Sequence, residues 1–135
     1  MLMGDILTIR QYELPIKLII FNNSCLGMVK LEMQVAGLPN SGTDFKPDVN
    51  YARIAEAVGI LGVRVEDPAA LPGAIKQVME HQGPALLDVM TNPYELIKPP
   101  DLKLSQACGF SLFMLKETVL GNASNVTELI ESNLR

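Results

Sequence analysis

Leu14-Pro15-Ile16-Lys17-Leu18-Ile19-Ile20-Phe21-Asn22-Asn23-Ser24-Cys25-Leu26-Gly27 is the stretch on which the fold turns. Its first eight residues are rich in aliphatic and aromatic side chains and too short a run for a helix, so they read as a buried strand. The residues that follow are a polar turn: Asn and Ser side chains hydrogen-bond to nearby backbone, and Asn and Gly tolerate left-handed dihedrals, so the strand halts abruptly. Upstream, residues 1–12 place Leu2, Ile6 and Ile9 near helical spacing. Downstream, residues 37–49 are rich in Gly, Pro, Asn and Asp without any period, which reads as a long surface loop, a candidate lid.

Beyond the loop the pattern alternates. Tyr51, Ile54, Ala55 and Val58 share one face of a helix over 50–58, which Gly59 stops. Leu61-Gly62-Val63-Arg64-Val65 is a short strand, and Asp67-Pro68 opens a helix whose Leu71, Ala74, Ile75, Val78 and Met79 follow the i, i+3, i+4 pattern. Gly83-Pro84 ends it before the apolar strand 85–89. Apolar strands alternating with amphipathic helices predict an α/β fold, a doubly wound parallel sheet covered on both faces. A Pro-rich surface segment, 93–104, includes Lys98-Pro99-Pro100-Asp101. A helical C-terminal extension follows, 105–135: one helix over 105–120 with Phe110, Phe113, Met114 and Leu115, and a second over 122–135. In the second, Asn125 and Glu128 stand as a capping box, and Val126, Leu129, Ile130 and Leu134 share a face. The predicted division is therefore an α/β domain over 1–92, the Pro-rich segment, and the helical tail.

Composition narrows the partners. A chain of 135 residues, 48% hydrophobic and 19% charged, makes one globular domain. Eleven basic against fifteen acidic residues give a net charge of −4, which repels a phosphate backbone and argues against nucleic acid. Cys25 and Cys108 are far apart and lack neighbours at metal-ligand spacing, so reduced thiols in a cytoplasmic protein are expected. The amino end has no basic region, and the longest apolar run, 18–21, is too short to span a bilayer; neither a signal peptide nor a transmembrane helix is expected. His81, the single histidine, reads as structural at a helix end.

Ligands of open α/β sheets bind outside the carboxyl ends of the strands, and Asn22-Asn23-Ser24-Cys25 is the strand end densest in oxygen ligands. Mg²⁺ takes amide, carbonyl, carboxylate and phosphate oxygens in octahedral array, and an Asn before a sharply turned backbone offers an amide and a carbonyl oxygen together. The same residues also suit a plain turn, and spacing does not choose. Asp44, Asp48 and Asp88 read as serving turns and caps.

The quoted stretch, continued to Met28, resembles the second half of the thiamine-diphosphate motif, which runs Gly-Asp-Gly, a helix, a strand and Asn-Asn. The likeness continues through Glu32-Met33, residues 50–57, Gly83-Pro84-Ala85-Leu86-Leu87-Asp88-Val89, Lys103-Leu104 and Gly109-Phe110-Ser111-Leu112. The chain looks like the C-terminal thiamine-diphosphate-binding domain of the pyruvate oxidase family, and the Pro-Pro segment and helical end point to the quinone-reducing pyruvate dehydrogenases within it. The resemblance implies an enzyme that decarboxylates pyruvate to acetate and CO₂ on thiamine diphosphate and Mg²⁺ and passes electrons through FAD to a quinone. It further implies a homo-oligomer, a tetramer, in the cytoplasm and peripheral on the inner face of the membrane. By position, Asn23 gives Mg²⁺ its side-chain oxygen and Cys25 its backbone carbonyl. Ser24, Leu26, Gly27 and Met28 bind the cofactor, and Glu32 is the catalytic acid, unless it is a solvated charge in a loop. Met28 departs from the larger, often aromatic, side chain expected there.

The Gly-Asp-Gly half has no counterpart, since Gly4-Asp5 is followed by Ile6 and Asp5 falls on the first helix. The FAD domain of the family is also missing, so the chain reads as a fragment, inactive alone. Two alternatives stand beside this reading. One is a domain of another thiamine-diphosphate decarboxylase or synthase, of the acetolactate-synthase kind. The other is a non-catalytic lipid-binding or interaction fragment. Residues 109–135 carry two basic against three acidic side chains, so any membrane binding must come from an apolar face.

Overall fold

A computed structural model describes residues 3–95 and 103–134. Helix α1, Asp5–Gln11, leads into strand β1, Lys17–Asn22. Helix α2, Gly27–Val35, precedes the long loop, and helix α3, Tyr51–Ala57, follows it. Strand β2, Leu61–Val65, a 3₁₀ turn over Pro68–Ala70, helix α4, Leu71–Glu80, and strand β3, Ala85–Met90, come next, and helices α5, Leu104–Val119, and α6, Ala123–Asn133, close the chain. The predicted strand positions hold, and local signals act as expected: Asn50 caps α3 by accepting from the Arg53 N–H, Gly59 follows that helix with positive φ, and Asp67 caps the 3₁₀ turn.

The chain divides into two compact units, residues 1–23 with 47–91 and residues 24–46 with 92–135. This division is interleaved, where the sequence suggests a linear one at residue 92. The Lys98-Pro99-Pro100-Asp101 run lies outside the described residues.

The first unit holds the parallel three-stranded sheet, in the order β1-β3-β2. Asn22 of β1 is in register with Met90, and Val65 of β2 with Val89, so all three strands leave the sheet at one end. Alternate residues of central β3 serve opposite faces. Ala85, Leu87 and Val89 pack with Val65, Ala74 and Val78 beneath α4, while Leu86 packs with Ile6, Ala55 and Ile60 beneath α1 and α3. Helices on both faces are what a doubly wound sheet requires. β1 is only half of the buried strand predicted: Leu18 and Ile20 pack against the α1–α3 core, but Ile19 is 49% and Phe21 76% exposed. The reason is that α4 packs on β2 and β3.

In the second unit α5 packs on α2 and α6. The Phe110 and Phe113 rings meet at a tilt of 43° with centroids 5.8 Å apart, and Phe113 is buried while Leu115 is exposed. The predicted capping box at Asn125 and Glu128 is not formed, because α6 starts three residues earlier with Asn122 as its N-cap. Of the face predicted for α6, Leu129 is buried, whereas Ile130 and Leu134 are exposed. No helix among the described residues is long and apolar enough to cross a membrane.

Candidate cofactor site

Asn22, the last residue of β1, is 3% exposed and held from two sides. Its carbonyl accepts from the Thr91 N–H at 2.9 Å, and its Nδ2 donates to the Val49 carbonyl at 3.0 Å. Asn23 follows, half-buried, immediately beyond the strand end. Ser24 then adopts φ +54°, a left-handed conformation rare outside glycine, and this turns the chain sharply away from the strand direction.

From Ser24 onward the segment is anchored by the loop. Phe45 N–H donates to the Ser24 carbonyl and Leu26 N–H to the Thr43 carbonyl, both at 2.8 Å, so Cys25 forms an isolated antiparallel bridge with Asp44. In that pattern the Cys25 N–H and C=O point away from the 43–45 strand. Leu26 is the N-cap of α2, and its carbonyl accepts the first helical bond, from Lys30 N–H at 2.9 Å. This helix start has no side-chain cap and no acidic residue in its first turn. Its leading N–H groups and positive dipole end therefore suit an anion. Lys30 pairs with Asp44 at 2.9 Å and lies 5.8 Å from the centre of the Tyr94 ring.

Burial pushes the Cys25 thiol above its ordinary pKa, the Lys30 charge opposing and Asp44 adding to it. The thiol is thus protonated at neutral pH and inert, and what Cys25 has to offer is its carbonyl. Gly27 and Met28 are the first two residues of α2, Gly27 half-buried and Met28 exposed. Glu32 lies on the same helix, not in a loop, and is exposed four residues after Met28, so the two share a face. Residues 23–28 thus run consecutively from the end of β1 through the turn into α2, and Glu32 follows Met28 by four residues on that helix.

Sequence reasoning missed the network behind that turn. Asp88, in the middle of β3, is fully buried; its Oδ2 accepts from Tyr51 N–H at 3.1 Å and from Arg64 Nη1 at 3.2 Å. Asp88 thus takes the first N–H of α3, while Asn50 is that helix's N-cap. Arg64 Nη1 also reaches the Val49 carbonyl at 3.3 Å, and its Nη2 pairs with Asp48. Burial alone would lower the Arg64 pKa; the hydrogen bonds to Glu66 and Asp48 and the charges of Asp48 and Asp88 outweigh it and hold the guanidinium above its ordinary value. The available signal was a charged residue inside an otherwise continuous apolar strand, which demands a buried partner.

Among the described residues no three His, Cys, Asp or Glu side chains converge as a metal site. The polar groups that residues 23–28 offer are of another kind: neutral amide and carbonyl oxygens and a helix start without a side-chain cap. That set fits a cation carried with an anionic diphosphate better than a bare divalent ion, which needs carboxylates for charge compensation.

Comparison with known proteins shows the family to which the chain belongs. Residues 1–89 match the family described as thiamine pyrophosphate enzyme, C-terminal TPP binding domain. The Bacillus subtilis protein named "Putative thiamine pyrophosphate-containing protein YdaP" is 37% identical over 116 residues, 86% of this chain and 20% of its own length. The acetolactate synthase large subunit of Porphyra purpurea is 34% identical over 105 residues, 72% of this chain and 18% of its own. The mitochondrial acetolactate synthase of Schizosaccharomyces pombe is 28% identical over 95 residues, 70% and 14% respectively. The chain therefore spans a fifth or less of these three relatives, and they support the cofactor domain without singling out pyruvate oxidase. With its strand exit, left-handed turn and uncapped helix in place, the chain belongs to the family of thiamine pyrophosphate enzyme C-terminal TPP-binding domains.

Proposed function

We propose that this chain holds the diphosphate end of thiamine diphosphate, through Mg²⁺, in a larger enzyme that acts on pyruvate. The observation that carries the reading is the turn at Ser24, which leads from a parallel-sheet exit into a helix start without a cap. In this reading Asn23 gives Mg²⁺ its side-chain oxygen and Cys25 its main-chain carbonyl. The α2 N–H groups orient the diphosphate, Ser24, Leu26, Gly27 and Met28 border it, and Glu32 is the acid of the segment. Thiamine diphosphate, when bound, supplies the electron sink that lets a 2-oxo acid lose CO₂. This chain's part is to bind and orient, and its neutral oxygens need a carboxylate from elsewhere to complete the charge balance, so the 135 residues alone are expected to be inactive.

Acetolactate synthesis is the activity that the relatives' names favour. Pyruvate oxidation to acetate, with FAD and a quinone as acceptors, is the second reading, and the helical end favours it: Leu115, Val119, Leu120 and Leu134 are all exposed on or beside α5 and α6, as a membrane-surface element would need. The protein carrying this domain, supplied with Mg²⁺, thiamine diphosphate and pyruvate, tests both. Acetolactate, detected as acetoin after acid treatment, supports the first reading. Acetate formed only with an electron acceptor supports the second. Pyruvate left unconsumed under both conditions overturns the proposal.

A further inference from the structure

We infer that Arg64 and Asp88 are positioning residues for Asn23, acting through the Val49 carbonyl and Asn22; the inference rests on the reading of Asn23 as a metal ligand. Each of the three strands sends one polar side chain to the same short stretch of backbone at the start of α3. Asn22 of β1 donates to the Val49 carbonyl at 3.0 Å, and Arg64 of β2 donates to it at 3.3 Å. Asp88 of β3, directly opposite Arg64 in the sheet, accepts from Arg64 at 3.2 Å and from Tyr51 N–H at 3.1 Å. Arg64 also pairs with Asp48. Residues 48, 49 and 51 are thus tied to all three strands, and the Val49 carbonyl is the point at which Asn22 and Arg64 meet.

Asn22 is covalently next to Asn23. With its carbonyl held by Thr91 and its side chain by Val49, it fixes where the main chain enters Asn23. A carboxamide that must meet a small octahedral ion tolerates little displacement.

Stability alone does not account for the pair. A buried ion pair in a sheet is commonly no better than well-packed apolar residues of similar volume. Here the cost is higher, because Asp88 Oδ1 is buried with no hydrogen-bond partner among the described residues. An apolar residue would fill β3 as Leu86 and Leu87 do, but it could not hold Arg64 against Val49.

The test uses the full protein that carries this domain. Mn²⁺, which stands in for Mg²⁺, is titrated in the presence of thiamine diphosphate and without pyruvate, with free Mn²⁺ counted by electron paramagnetic resonance. Arg64→Lys keeps the charge, but a single ammonium cannot span Val49, Asp48 and Asp88 as the guanidinium does. The double variant Arg64→Met/Asp88→Leu removes the pair while keeping volume, and Asn23→Ala removes the proposed ligand. We expect Arg64→Lys and the double variant to weaken Mn²⁺ binding about tenfold, with the pyruvate KM and the kcat at saturating metal within about twofold of the parent value. Unchanged Mn²⁺ affinity in both, with Asn23→Ala still weakening it, overturns the positioning role alone. Unchanged affinity in Asn23→Ala overturns the ligand reading and the inference with it. If one variant fails to fold, the other carries the same readout.

Discussion

Among the described residues, the first unit buries eleven apolar side chains, from Ile6 to Val89, and only two polar ones, Asn22 and Asp88. The second buries three, Cys25, Phe113 and Leu129, beside three polar ones, Gln34, Thr43 and Glu117. Yet both are closed by the same device. In the first, a Cβ on Gly62 would stand 2.1 Å from the Ala52 carbonyl oxygen, so α3 lies directly on β2; in the second, a Cβ on Gly109 would stand 1.9 Å from the Val35 carbonyl oxygen, so α5 lies directly on α2. The difference teaches that the sheet unit is held by burial of hydrocarbon, while the helical unit depends more on close backbone approach and on how its interior polar groups are satisfied.

The largest expected effect therefore comes from those glycines. Gly109→Ala and Gly62→Ala each push a methyl into a backbone oxygen that cannot swing aside, and each should cost about 3 kcal/mol or more. Urea denaturation measures this. If the units unfold as separate blocks, each substitution moves its own transition; a single shared transition shifted equally by both would show that they unfold as one cooperative body.

Next in size is Thr43→Val. The buried Thr43 hydroxyl has no hydrogen-bond partner among the described residues, so an apolar residue of the same shape should stabilise the second unit by about 1 kcal/mol. A loss of similar size, read from the urea midpoint, would mean that the hydroxyl is satisfied in solution and that the polar interior is not a weakness.

A smaller effect comes from pH. Burial, then the hydrogen bond and charge of Glu128, then the charge of Asp44, raise the Tyr94 pKa above its ordinary value of 10.0. The folded state thus keeps its proton longer than the unfolded state. The stability contributed is full below pH 10.0 and is lost as pH rises through the raised folded value. Absorbance at the phenolate band, with melting followed on both sides of that pH, checks the sign, and Glu128→Gln should shrink the shift.

The mildest probe leaves stability untouched. Cys108 is exposed and Cys25 is buried with a raised pKa, so an alkylating reagent should label Cys108 first and Cys25 only on unfolding. Equal rates would mean that the Cys25–Asp44 bridge opens readily.

Much of the first unit is legible residue by residue. The runs around Ile19, Val63 and Leu87 are strands because aliphatic residues crowd them, and Asn50, Gly59 and Asp67 mark boundaries through local hydrogen bonds and dihedrals. The candidate site is legible in the same way, since residues 23–28 are consecutive. Helix α2 was not: Met28 and Val29 are exposed on it while Gln34 is buried, the reverse of what polarity suggests, so no apolar stripe announces it. Nor was the start of α6, where Asn125 and Glu128 imitate a capping box inside a helix that begins at Ala123.

Local patterning was enough for the strands, most helix ends and the turn after β1, because side-chain alternation, capping and left-handed dihedrals act within a few residues. Long-range packing alone chose the order β1-β3-β2, left Phe21 in solvent, and brought Asn22 and Arg64 to a single carbonyl with Asp88 behind Arg64. Those outcomes are sums over partners dozens of positions apart, and a buried charge settles only where its counter-ion and its hydrogen-bond donors arrive together.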